Sequence, residues 1–271
     1  MFTKLLPRDA AMAKGSAFIS DEVQYNLFHR ICEGSDALCL KTEDGKMIFA
    51  QTPKQKGWLW ISKEVNREER KVLIHELASV LKDVPLPGVA SDPLISGEFA
   101  EAFSKMNPVR CQIDMTMESY CCPNVIIPKN VAGECRKARH EDIELVADYL
   151  AGFLRDAFRS PVDSETQISK AKGMIEAGGL YLWCVDGKPV SMANNSHRSP
   201  RHARINAVFT PIEQRKNGYA SSIVAALCTN LEKEQLVPML YADISNPDSN
   251  KVYQNIGFLK SGKITEINFL R

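Results

Sequence analysis

The stretch Thr210–Ser222, TPIEQRKNGYASS, follows the apolar run ARINAVF and precedes a second one, IVAALC. It carries Arg215, Gly218 and Ala220 in the order R-x-x-G-x-A. The flanking patterns predict a strand, a short turn and an amphipathic helix. A helix start leaves its first N–H groups without intrahelical acceptors, and the helix dipole favours an anion there. Gly218 permits close approach of a ligand to the backbone and tolerates unusual dihedrals. Ala220 keeps the next turn small, and Arg215 and Lys216 add charge at the mouth. This composition suits a pyrophosphate; an ordinary strand-to-helix turn with solvated basic residues has the same composition. No G-x-x-x-x-G-K-[ST] run occurs, and a dinucleotide fingerprint needs three glycines where this turn has one.

Outward from the turn, the second half of the chain reads as alternating helices and strands. EDIELVADYLAGFLRDAF places Ile143, Val146, Ala147, Leu150, Phe153, Leu154 and Ala157 on one helical face. VDSETQISKAKGMIEAGG reads as a second helix, started by Asp163 or Ser164 and ended at Gly178-Gly179. LYLWCV and KPVSMANN form two strands across Asp186-Gly187, a hairpin signal. ARINAVFT is a third strand, and the helix after the turn buries Ala220, Ile223, Val224, Leu227, Cys228 and Leu231. VPMLYADI is a strand, PDSNKVYQNI a short helix and GFLKSGKITEINFL a closing strand or pair.

The first half has the same order: a helix over DEVQYNLFHRIC, a hairpin across Asp44-Gly45, the strand GWLWIS, a helix, the strand PGVAS, a helix and a long strand, VRCQIDMTMESY. The first helix after GWLWIS is expected to turn Val72, Leu73, Leu77, Val80 and Leu81 inward. Of Trp58 and Trp60, one is expected to pack inward and one to line a surface. Two structurally related domains, 1–125 and 126–271, fit this order, as does an accidental α/β likeness. Pro123, Pro128 and Gly133 break regular structure in CCPNVIIPKNVAGECRKA, which marks the boundary or an extended arm lying on one domain.

Seventeen residues, Ala242–Phe258, ADISNPDSNKVYQNIGF, add a second signal: Asn246, Tyr253, Gly257 and Phe258 stand at the spacing Asn-x6-Tyr-x3-Gly-Phe. Together with R-x-x-G-x-A one helix and one strand earlier, this segment resembles the GNAT superfamily of acyl-CoA-dependent N-acetyltransferases. The resemblance covers about residues 135 to 271, and the whole arrangement looks like GNAT proteins with two tandem copies. It implies a mixed α/β (α+β) GNAT fold, a central mixed and mostly antiparallel sheet flanked by helices, in two GNAT-like domains. The first copy has KEVNREERKVL after its third strand. It lacks the cofactor turn and is expected to shape the acceptor pocket or an interface.

The resemblance further implies transfer of an acetyl group from acetyl-CoA to a primary amine of a small or amino-acid-like acceptor. Backbone groups of Val208, Phe209 and Thr210 would pair with the pantetheine arm. Those of Gln214, Arg215, Lys216, Asn217, Gly218, Tyr219, Ala220 and Ser221 would take the pyrophosphate. The Val208 N–H would polarise the thioester carbonyl, and Asn246 would bond the pantetheine or fix its turn. Tyr253 is the expected general acid, since a phenol near pKa 10 is matched to a departing thiolate. Asp243 is a candidate base; capping the strand end, with a water relay as base, is the alternative. Two other functions stay open: an acyl-CoA-binding sensor or scaffold without turnover, and peptide or protein N-terminal acetylation.

Bulk properties narrow the partners. Net charge is +1, which gives no strong field toward nucleic acid or membrane. No apolar run approaches the roughly 18 to 20 residues of a membrane helix, and the start MFTKLLPRDAAMAKG is too short and broken for a signal peptide. Among the eight cysteines no pair has C-x-x-C spacing and Cys121-Cys122 is poor metal geometry. Cys39, Cys184 and Cys228 sit in apolar runs as buried hydrophobes. No metal site and a reducing, cytoplasmic setting are expected, and a homodimer is compatible with the chain. NNSHRSPRHAR, Asn194–Arg204, is expected to be a solvated loop, and His75 a helix-face histidine.

Overall fold

The computed structural model of the protein describes residues 1–158 and 161–270. The chain divides into two compact units, which are not its consecutive halves. The first comprises Met1–Tyr120 with Ala242–Asn246 and Lys260–Arg271, the second Cys121–Tyr241 with Pro247–Leu259.

The first unit contains β1 (Phe2–Lys4), α1 (Leu27–Cys32), β2 (Leu38–Thr42), β3 (Met47–Gln51), β4 (Gly57–Ile61), α2 (Arg67–Val80), β5 (Gly88–Ser91), α3 (Pro93–Met106) and β6 (Arg110–Cys121, its last residue grouping with the second unit). The second contains β7 (Glu134–Lys137), α4 (Ile143–Phe158), α5 (Ile168–Glu176), β8 (Leu180–Val185), β9 (Lys188–Arg198), β10 (His202–Phe209), α6 (Tyr219–Lys233), β11 (Val237–Asp243, its last two residues grouping with the first unit) and α7 (Pro247–Asn255). The last strand, β12 (Leu259–Leu270), returns to the first unit.

Both units share one topology. In the first, β1, β2, β3 and β4 pair antiparallel in turn and β4 pairs parallel with β5 across the crossover helix α2. In the second, β7, β8, β9 and β10 pair antiparallel and β10 pairs parallel with β11 across α6. The β8–β9 hairpin turns on Asp186 and Gly187, at φ 48° and 76°, the two left-handed positions that a tight right-twisting hairpin requires.

β12 follows the second unit's last helix yet pairs antiparallel with β5, Thr265 opposite Ser91 through Asn268 opposite Gly88. Gly88 makes this possible, since a Cβ there would lie 2.2 Å from the Ile267 carbonyl oxygen. Backbone cannot yield as a side chain does, so Gly88→Ala is expected to cost about 3 kcal/mol. A lowered urea midpoint measures it; an unchanged midpoint would contradict this pairing.

The first unit's core sets Met47, Phe49, Leu59 and Ile61 of the strands against Ile74, Leu77 and Leu81 and against Phe99 and Phe103 of α3. Phe269 of β12 stacks on Phe103 at 4.8 Å. Three expectations change here. The buried face of α2 is Ile74, Leu77 and Ala78, while Val72 and Val80 are exposed, because α2 and α3 pack along that stripe. Trp58 and Trp60, two residues apart, share one face of β4, and both are buried. The N-terminal segment covers that face: Phe18 meets Trp60 edge-on at 5.4 Å, and Trp60 Nε1 donates to Asp21 at 3.0 Å. That same segment is α-helical only over Leu27–Cys32, with 3-10 turns at Ala10–Met12 and Ala17–Asp21. Its polar side chains make tertiary bonds instead: Gln24 Nε2 donates to Lys263 O at 2.6 Å, and Tyr25 Oη accepts from Asp92 N at 2.9 Å.

In the second unit, Val146, Ala147 and Leu150 of α4 pack on Leu180, Leu182, Cys184 and Met192 of the sheet. Arg136 of β7 forks onto Asp142 just before α4, both bonds 2.8 Å. On α6, Ile223, Val224, Leu227, Cys228 and Leu231 are buried. NNSHRSPRHAR is not a loop: β9 runs to Arg198 and β10 starts at His202. Its polar residues pair across the ladder, Asn194 Nδ2 donating to Asn206 Oδ1 at 2.9 Å and Arg204 Nε to Ser196 Oγ at 3.1 Å. The segment after Cys121 is an arm laid along the second unit, where Ile126 N donates to Ile256 O at 2.8 Å and Trp183 Nε1 to Ala132 O at 2.9 Å.

Candidate functional site

The site grows from the way β10 leaves its neighbours. Its parallel ladder with β11 holds only His202–Val237, Ala203–Pro238 and Arg204–Met239. Both strands run on beyond the last pair, to Phe209 and Asp243, with no further pairing between them among the described residues. On its other side β10 carries a bulge: Asn206 faces Asn194 and Phe209 faces Met192, so Ala207 and Val208 together oppose one residue of β9. Ala207 stands at φ 48°, a region alanine enters at a cost of order 1–3 kcal/mol. A bulge leaves one residue outside the ladder and re-aims its backbone groups. No sequence pattern around Ala207 announces it.

The end of β10 is tightly fastened. Ser191 Oγ donates to Phe209 O at 3.0 Å and lies 2.9 Å from Thr210 Oγ1. The Phe209 ring packs against Gly152, where a Cβ would sit 2.4 Å from Phe209 Cζ, and against Tyr149 at 5.7 Å. Arg215 Nε donates to Thr210 O at 2.9 Å, and its guanidinium pairs with Asp156 and lies 6.0 Å from the Phe209 ring centroid. The expected role of Arg215 as charge at the mouth therefore changes. Its side chain ties the turn to α4 and β10, because the turn folds back within reach of Asp156. Lys216 is exposed and without an ion-pair partner among the described residues.

Between this fastening and α6, Lys216 and Gly218 take left-handed dihedrals, φ 66° and 81°. Gly218 is the N-cap of α6 and offers no side chain to the first turn. Among the described residues, the N–H groups of Lys216, Asn217, Gly218, Tyr219, Ala220 and Ser221 have no protein acceptor. Such a row of unshared donors at a helix start is a concentrated positive potential. Gly218 is required for a second reason that the sequence did not disclose: a Cβ there would lie 2.8 Å from Val131 Cγ2 of the arm.

The corresponding helix start in the first unit has the opposite character. Asn66 Oδ1 accepts from Glu69 N at 3.0 Å, and Glu68 and Glu69 occupy the first turn. Ser91 Oγ donates to Leu59 O at 2.6 Å and so ties β5 to β4 where they would part, with Tyr25 Oη 3.4 Å away. That helix start is capped and negatively charged, and the neighbouring strands are bridged.

Tyr253 lies on α7, buried, with Phe258 edge-on at 5.8 Å. Burial pushes its phenol up to about 12. Gly257, at φ 101°, lets Asn124 O approach to where a Cβ would stand 2.4 Å away. Asp243 and Asn246 fall in the stretch that groups with the first unit. Asp243 accepts from Ser245 N at 2.8 Å and Ser245 Oγ at 2.7 Å, and Asn246 N donates to Asp243 O at 3.1 Å. Asp243 thus caps its own strand end.

Comparison with known proteins agrees with this architecture. The FR47-like protein family model matches residues 181–266, which span β8 to β12. No curated protein matches the sequence. Among solved structures, a GCN5-related N-acetyltransferase from Sphaerobacter thermophilus superposes with TM-score 0.61 at 14% identity, covering 100% of this chain and 96% of that one. A GNAT-family acetyltransferase from Colwellia psychrerythraea gives 0.59 at 12% identity, with 99% of each chain covered. One from Kribbella flavida gives 0.58 at 12% identity, covering 94% and 96%. The chain has the GNAT fold. Among the described residues no helix is long and apolar enough to cross a membrane.

Proposed function

We propose that this GNAT-fold chain is an acyl-CoA-dependent N-acyltransferase whose second unit holds the coenzyme and transfers its acyl group, acetyl in the simplest case, to a primary amine. The observation that carries the reading is the row of unshared N–H donors from Lys216 to Ser221 at the start of α6, after β10 has left its ladder with β11. A diphosphate fits such a row, and Lys216 adds a cation unpaired among the described residues, while Arg215 is engaged by Thr210 and Asp156. The matched family model and the fold of the compared structures support the same class.

Acyl-CoA would supply the activated thioester. The chain's own groups divide the rest. The bulged backbone at Val208 presents an N–H for the carbonyl oxygen, where charge grows in the transition state. Phe209 and Thr210 line the pantetheine's path with backbone groups, although the Thr210 carbonyl already accepts from Arg215 and has one lone pair left for a ligand. Tyr253 holds a proton for the departing sulfur; its raised pKa keeps it protonated throughout the physiological range. With Asp243 engaged by Ser245, we assign the amine's proton to a water relay.

The test is thiol release from acetyl-CoA, followed colorimetrically over a panel of free amines, amino acids and short peptides. Release with free amines or amino acids supports the small-acceptor reading, and release with peptides alone moves the acceptor to protein N-termini. Tight acetyl-CoA binding in calorimetry with no release from any acceptor would assign a coenzyme-binding sensor instead.

A further inference from the structure

A cavity of about 370 Å³ lies in the second unit, between α6, the arm and the β7–β8 edge of the sheet. β11, the parallel partner of β10, stands at the opposite end of this unit's strand order. Tyr181 and Trp183, alternate residues on one face of β8, make its aromatic wall. The α6 wall runs from Ser222 and Ala226 to the polar Thr229 and Asn230, and the arm closes it with Pro128 and Val131.

Three features of this cavity point to a ligand. Its size is that of a small-molecule site. None of its lining side chains is a carboxylate, an amine or a guanidinium, and burial pushes the lining thiol of Cys135 up to about 11, so it too is neutral at pH 7. Ser222 is 6% exposed, and its Oγ is buried without a hydrogen-bond partner among the described residues. An unpaired buried hydroxyl is costly, and a ligand group within reach would satisfy it. Two aromatic rings, lining side chains that carry no charge of their own, and one buried unpaired hydroxyl, with the Asn230 carboxamide also in the lining, suit a flat, neutral molecule with a hydrogen-bonding group, although Lys137 Nζ lies 6.0 Å from the Tyr181 ring centroid.

Val131 joins this cavity to the turn: it lines the cavity, and its Cγ2 lies 2.8 Å from where a Gly218 Cβ would stand. We propose that the cavity binds a small neutral aromatic molecule bearing one hydrogen-bonding group, and that its occupant acts on the Gly218 turn through Val131. The consequence for coenzyme affinity rests on the reading of that turn given above; the binding itself does not.

The probe is 2-naphthol, with naphthalene, which lacks the hydroxyl, and 2-naphthoate, which adds a charge, as controls. Calorimetry on the full chain is expected to show 2-naphthol binding and 2-naphthoate failing to bind. 2-Naphthol should exceed naphthalene by roughly three- to tenfold, the worth of one hydrogen bond, and Ser222→Ala should erase that margin. Ala226→Phe should fill the cavity and abolish binding, with Thr229→Leu as a second filling variant should the first unfold. The amide resonance of Gly218 is expected to shift on adding 2-naphthol to the wild type and to stay still in Val131→Ala. Undiminished binding to both filling variants, or no binding to the wild type, overturns the site; a motionless Gly218 resonance overturns the coupling. Should acetyl-CoA fail to bind while 2-naphthol binds and moves Gly218, the coenzyme reading falls and this one stands.

Discussion

Gly218→Glu is expected to abolish acetyl-CoA binding, with a loss of at least about a hundredfold in affinity, while the second unit stays folded. Three effects add at this position. The residue stands at φ 81°, which costs a residue bearing a Cβ roughly 1–2 kcal/mol. A Cβ would press on Val131 Cγ2 at 2.8 Å, the far end of a side chain that can turn away. The glutamate carboxylate would reach the N–H row itself and replace an incoming diphosphate with its own charge. Displacing even two charge-assisted hydrogen bonds forfeits about 3–6 kcal/mol, more than strain alone costs. Gly218→Ala separates the effects: it keeps the strain and the push on Val131 but leaves the donors open, so stability should fall by about 1–2 kcal/mol and affinity far less than in the glutamate variant. Titration calorimetry and thermal unfolding on both variants measure the difference. Glutamate-variant affinity equal to wild type would remove the diphosphate from this turn.

Much of the fold is legible because it is local. The Asp186-Gly187 hairpin, the apolar stripe of α6 and the strand–turn–helix around Gly218 are each written within about a dozen residues, the range over which periodicity and turn chemistry act. The spacing from Asn246 to Phe258 adds a second local signal. What the sequence conceals is the identity of distant partners. Arg215 reads as a mouth charge until Asp156 and Thr210 take its guanidinium. The polar run from Asn194 reads as a solvated loop because its bonds form across a ladder, Asn194 to Asn206 and Arg204 to Ser196. β12 belongs by chain order with α7, and nothing in KITEINFL says that it will lie beside β5. The bulge at Ala207 sets a β-carbon-bearing residue at a left-handed φ, so tertiary packing and not residue type holds that dihedral. The first unit's helix start is the exception: KEVNREERKVL carries no R-x-x-G-x-A, and Asn66, Glu68 and Glu69 of that run are the residues that cap and charge it.

Tyr253→Phe is expected to lower kcat by about a hundredfold, within the range typical of a lost general acid, while acetyl-CoA affinity stays within about a factor of two and stability changes by no more than about 1.5 kcal/mol. The substitution removes one oxygen and keeps the ring that Phe258 meets edge-on, so packing is conserved and the two roles of the residue come apart. pH supplies the second discriminator. Burial raises the phenol's pKa to about 12, against an unfolded value near 10. Between those values the unfolded chain binds fewer protons at this residue than the native state, so stability must fall as pH rises through that window. Below pH 10 the residue is protonated in both states and contributes no slope. Tyr253→Phe should therefore flatten part of the alkaline stability loss whether or not the phenol takes part in catalysis. Only a general acid predicts the fall in kcat at neutral pH as well, with no alkaline decline in wild-type kcat from this group below about pH 11. A variant that turns over at the wild-type rate yet loses the alkaline stability slope would return Tyr253 to the core and leave the departing sulfur to be protonated by solvent.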